Sequence, residues 1–106
     1  MIIYRDKNQN LNVYIYPRDH FPAHVHIYKG SKNDTNREEV KISLGSEDER
    51  PSIIEADESM RSSDIKAALE LVFDKQQIFL EEWVRIHGIP KLDNKRGGAR
   101  RSDRKS

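Results

Sequence analysis

Through the first half of the chain, apolar and polar residues alternate one by one in short runs separated by polar clusters. Through much of the second half, apolar residues recur every three to four positions. The first pattern places side chains on opposite faces of a strand, and the second places them along one stripe of a helix. Ile2, Ile3 and Tyr4 open the chain, and Lys7-Asn8-Gln9-Asn10 forms a turn cluster, since Asn tolerates left-handed backbone angles. Leu11 to Tyr16 then sets Leu11, Val13 and Ile15 against Tyr14 and Tyr16, so the two runs predict a hairpin that Pro17 ends.

Ala23 to Tyr28 alternates cleanly. Ala23, Val25 and Ile27 face one way, and His24, His26 and Tyr28 the other. A polar loop from Lys29 to Asn36 leads to a fourth strand, Glu38 to Leu44, with Val40, Ile42 and Leu44 inward. Ile53 and Ile54 offer a short fifth strand after a charged loop. From Ile65 the helical stripe runs through Ala68, Leu69, Val72, Phe73, Phe79, Leu80, Trp83 and Ile86. Ser62 or Ser63 is suited to cap its start, Asp64 suits the positive end of the helix dipole, and Gly88 with Pro90 signals the stop. One straight helix would span roughly 35 to 40 Å, long for so small a body, so a break is expected near Asp74 to Gln77.

The pattern therefore predicts an α+β fold: a small antiparallel sheet of four or five strands, its apolar face packed on one long or kinked C-terminal helical segment. At 106 residues there is room for one core, assigned to residues 1–90. Residues 91–106 lose all periodicity and read as a disordered basic tail. Charge sharpens this division. The tail holds seven Lys or Arg against two Asp, so the net +1 of the whole chain combines a basic tail with an acidic body. Lys95, Arg96, Arg100, Arg101, Arg104 and Lys105 form a candidate for weak, salt-sensitive contact with a phosphate backbone, although no aromatics are interleaved for base stacking. The alternative is a solubilising tail without a partner.

With no cysteine, disulfides and thiolate metal sites are excluded. No apolar run approaches the ~20 residues of a membrane span and no secretion signal is evident, so a cytoplasmic protein is expected. Phosphate-loop, dinucleotide-loop and serine-elbow motifs are absent from the sequence. The paired Glu81 and Glu82 read as a solvated helix face, Trp83 as core, and His87 as a partner for the helix end.

Candidate chemistry gathers in Asp19-His20-Phe21-Pro22-Ala23-His24-Val25-His26, which holds three of the four histidines. His24 and His26 project from one face, ~6 to 7 Å apart at Cα, and a turn through Pro22 can fold His20 over them. Imidazoles bind zinc, nickel or iron, and three ligands with an open position are a known catalytic arrangement. Asp19 or Glu39 can complete the ligand set or orient a ligand from behind. Two other readings compete: a hydrogen-bonded turn or partner surface, and metal-free acid–base chemistry. On the partner reading, Tyr14, Tyr16, His24, His26 and Tyr28 form the contact face.

The same stretch resembles a bacterial family catalogued as domain of unknown function 4160, with the pattern Asp/Glu-His-x-Pro-Pro-His-x-His; Ala23 stands where the second proline often occurs. Glu39 to Gly45 and Asp64 to Gly88 continue the likeness over roughly residues 1 to 90. The resemblance implies a small prokaryotic protein, often encoded beside another short protein in pairs regarded as toxin–antitoxin modules. Two functions follow as expectations. One is an interaction protein or small inhibitor that binds a protein partner through its His/Tyr face. The other is a metal-dependent hydrolase, a nuclease among the options, using His20, His24 and His26. An unpaired edge strand also makes a homodimer an expected assembly.

Overall fold

A computed structural model describes residues 1–30 and 37–88. The basic tail and the nucleic-acid candidates within it lie outside the described residues, as does most of the loop before the fourth strand. Five strands form one antiparallel meander: β1 (Ile2–Asp6), β2 (Leu11–Tyr14), β3 (His24–Lys29), β4 (Glu38–Ser43) and β5 (Ser52–Ala56), in spatial order 1-2-3-4-5. They are followed by α1 (Ser62–His87). The predicted α+β architecture, a five-stranded sheet on one C-terminal helix, is the fold observed. Among the described residues, no helix is long and apolar enough to cross a membrane.

The β1–β2 turn is built as its composition requires. Asp6 Oδ1 accepts the N–H groups of Asn8 and Gln9, and Asn10 takes φ 55°. The apolar face then assembles from alternate residues: Leu11, Val13, Val25, Ile27, Val40 and Ile42 are fully buried. Against them α1 sets Ala68, Leu71, Val72, Phe79 and Trp83. At ~25 cal/mol per Å² of apolar area, this shared core is the main stabilising term of the fold.

Three helical expectations change. Ser62 and Ser63 do not cap α1: they lie inside its first turn, the N-cap is Arg61, and no side-chain cap bond forms. The first turn is held instead by Lys29 Nζ, 3.2 Å from Asp64. Phe73 leaves the buried stripe and is half exposed, with the Arg50 guanidinium 6.0 Å over its ring, while Leu71 takes a core position. The helix breaks at Lys75 (φ −114°, ψ 18°), inside the expected window. There Gln76 Nε2 lies 2.8, 2.9 and 3.0 Å from the carbonyls of Leu44, Ser46 and Glu49, tying the helix to the β4–β5 loop. Gly45 allows that loop to close: its φ is +66°, and a Cβ would collide with the Glu49 carbonyl.

The β2 strand ends at Tyr14, two residues sooner than the alternation predicts. Ile15 remains buried and its N–H bonds the Met1 carbonyl at 3.0 Å. The segment 15–23 then crosses the end of the sheet, and His87 Nε2 reaches the Tyr16 carbonyl at 3.1 Å. Helix end, crossing loop and the start of β3 thus meet in one place.

Candidate metal centre

His24 and His26 share one face of β3, where His26 faces Tyr14 on β2 and Lys41 on β4. Their rings converge, with centroids 5.1 Å apart. Asp19 enters from the crossing loop, held by a reciprocal turn: its N–H bonds the Tyr16 carbonyl at 2.9 Å, and its Oδ2 accepts the Tyr16 N–H at 3.0 Å. Asp19, His24 and His26 each offer a ligand atom, and these atoms all lie within 4.8 Å of one another. Asp19 Oδ1 is 3.5 Å from His24 Nε2 and 3.2 Å from His26 Nε2.

The outward nitrogens fix the tautomers. His24 Nδ1 lies 3.0 Å from the Pro22 carbonyl oxygen, which only accepts, so Nδ1 carries the proton. His26 Nδ1 lies 2.6 Å from Glu39 Oε2, and the carboxylate likewise accepts. As neutral rings, both therefore aim an Nε2 lone pair at a carboxylate. Three electron-rich atoms meeting in one spot repel unless a cation joins them. A metal ion meets that need, and so does a proton that turns His26 into an imidazolium between Asp19 and Glu39.

Burial alone would raise the Asp19 pKa. The backbone bond from Tyr16, with the hydrogen bond and charge of His26 in its imidazolium form, outweighs it, so the carboxyl titrates below its ordinary value of 3.8. It is a carboxylate at neutral pH, as a ligand must be.

His20 is exposed and does not join the group; Asp19, its neighbour in sequence, takes the place expected of it. The Phe21–Pro22 peptide is cis, and Phe21 lies against Trp83 of α1, 5.4 Å between centroids. Glu39 holds His26 from behind, one of the two roles open to it from sequence. The helix also comes closer than expected: Trp83 is buried as predicted, yet its ring is 5.3 Å from His24 and stacks on His87 at 3.9 Å.

The five residues expected on a contact face are packed closely together. Tyr14 and Tyr28 are buried, with their rings edge to face at 5.3 Å, and Tyr16 packs on His26 at 4.8 Å. The side chains of His24 and His26 are only 13% and 11% exposed. The five rings pack against one another, with Tyr16 and Asp19 brought in by the crossing loop and Arg37 laid over Tyr28.

Residues 10–84 match the family described as Domain of unknown function (DUF4160), and the chain belongs to that family. No curated protein and no solved structure matches it.

Proposed function

We propose that the domain binds one divalent transition-metal ion through Asp19 Oδ1, His24 Nε2 and His26 Nε2, as the centre of a small hydrolase. One observation carries this reading: each converging group has its other polar atom fixed from behind. Pro22 holds His24, Glu39 holds His26, and the Tyr16 N–H holds Asp19. Such outer partners set the tautomer and orientation that metal ligation requires. The separations support it too. Bonds of ~2.0 to 2.1 Å in a tetrahedron set ligand atoms roughly 3.3 to 3.4 Å apart. Asp19 Oδ1 stands 3.5 and 3.2 Å from the two nitrogens.

Two imidazoles and a carboxylate suit zinc or iron(II), and three protein ligands leave a position for water or substrate. A bound ion would supply a water acidic enough to act as nucleophile near pH 7. The residues do the rest: Glu39 sets the His26 tautomer, and Tyr16 shields its ring. A nuclease is disfavoured, because Glu39, Glu55 and Asp57 line the cleft beside His26 and oppose a phosphate backbone.

Elemental analysis of untagged protein tests the proposal. It predicts about one equivalent of zinc or iron, lost in the His24→Ala/His26→Ala double variant. Trace metal that is unchanged in that variant would reject it.

A second reading, a protein-binding member of a two-gene module, is favoured by the β5 edge, which exposes Ile53 and Ile54 by 44% and 51%. Its test is co-elution with the product of the neighbouring gene, abolished by Ile54→Lys and unaffected by the histidine double variant. Co-elution that survives Ile54→Lys would remove β5 as the contact.

A further inference from the structure

Beyond the metal centre, on the same face of the sheet, lies a cleft of about 250 Å³ that no part of the proposal above requires. His26 forms part of its wall, but His24 and Asp19 do not. Its polar lining carries both signs of charge: Glu39, Glu55 and Asp57 against Lys41. Lys41 and Glu55 are register partners on β4 and β5, the arrangement in which opposite charges ordinarily pair. Among the described residues no ion pair joins them.

The wall toward β2 is phenolic. Tyr28 is more than nine-tenths buried, and its hydroxyl lies 2.8 Å from that of Tyr16. In such a pair one hydroxyl donates to the other, which leaves a second O–H. Neither phenol has another hydrogen-bond acceptor among the described residues. The Arg37 guanidinium already covers the Tyr28 ring at 3.7 Å, so Tyr28 offers a ligand its hydroxyl and not its face.

We propose that this cleft binds a small zwitterion, a free α-amino acid, with its ammonium on Glu55 and Asp57 and its carboxylate on Lys41 and the spare phenolic O–H. The mixed lining selects against ligands of a single sign. A simple anion meets three carboxylates, and a simple cation leaves Lys41 unanswered. A zwitterion satisfies both, and the acidic excess favours one with a basic side chain. Asp57 has the capacity to accept: Oδ2 takes the Glu39 N–H at 2.8 Å, and Oδ1 has no partner among the described residues. The volume admits a molecule of amino-acid size and no folded partner. This binding needs neither the metal ion nor His24, so the two proposals stand or fall separately.

The test is a titration of the full-length ¹⁵N-labelled chain in the presence of EDTA, followed by amide chemical shifts. L-Lysine is the probe. Cadaverine, the same diamine without the carboxylate, and acetate are the controls. L-Lysine is expected to shift the amides of Lys41, Glu55 and Ala56 saturably, with cadaverine and acetate about tenfold weaker or more. Glu55→Gln, at an exposed edge position, and Lys41→Met should each weaken L-lysine about tenfold. Equal binding of cadaverine and L-lysine would overturn the zwitterion assignment. So would wild-type affinity in both variants, or no saturable shift up to about 50 mM.

Discussion

Replacing Glu39 by alanine removes the group that fixes His26 without touching any of the three proposed ligands. The His26 Nδ1–Glu39 Oε2 distance of 2.6 Å marks a charge-assisted bond. Loss of such an outer partner lowers metal affinity about 10- to 100-fold, or about 1.4 to 2.7 kcal/mol. The Glu39 side chain is 33% exposed, so water can take over part of its role. That places the expected loss in the lower half of the range, about 10- to 30-fold. Glu39→Gln keeps a neutral acceptor and should lose less. Trp83 supplies the assay: it is the only tryptophan, and its ring lies 5.3 Å from His24, so cobalt(II) or copper(II) at the centre should quench it. Titration against a competing chelator then gives relative affinities. Affinity in Glu39→Ala within about twofold of wild type would refute the claim that this carboxylate organises the site.

The lowered Asp19 pKa gives a pH signature. A carboxyl whose folded pKa lies below its unfolded value stabilises the fold above about pH 3.8, and that contribution disappears as pH falls through the folded pKa. Asp19→Asn should flatten the acid limb of metal-free stability below about pH 4; an acid limb identical to wild type in chemical denaturation would contradict it. Gln76→Ala strips the Leu44, Ser46 and Glu49 carbonyls of their shared donor, and should cost about 1 to 3 kcal/mol in urea unfolding. A change under about 0.5 kcal/mol would show that the helix kink is not held there. Trp83→Ala should cost about 3 to 5 kcal/mol, because Trp83 is the largest fully buried side chain; retention of wild-type stability would count against the core described here.

Much of this architecture was legible in alternation and period. Val25 and Ile27 against His24 and His26 placed the sheet faces, and the excess length of α1 predicted a break that Lys75 bears out. Local pattern fails where tertiary contacts decide. The crossing loop has no period, so nothing in the sequence could say whether Asp19 or His20 turns inward. Tyr16 of that loop and Arg37 ahead of β4 cover Tyr14 and Tyr28, which alternation alone assigned to an open face. Phe73 lies about 140° around the helix from Ala68, so it falls off the face that Ala68, Leu71 and Val72 bury. The tie of His26 to Glu39 was foreseeable as chemistry, since both lie on the outer face of neighbouring strands. The cleft formed by Lys41, Glu55 and Asp57 was not, because it depends on the β4–β5 register, which shifts between Lys41 and Ile42.

The identity of the three ligands is the point on which the metal proposal turns, and X-ray absorption of the untagged, zinc-loaded chain reads it directly. The expected spectrum has two imidazole nitrogens and one carboxylate oxygen at about 2.0 to 2.1 Å, unchanged in His20→Ala and lost in Asp19→Asn. Three imidazoles around the ion, with a spectrum that His20→Ala alters and Asp19→Asn does not, would contradict the site.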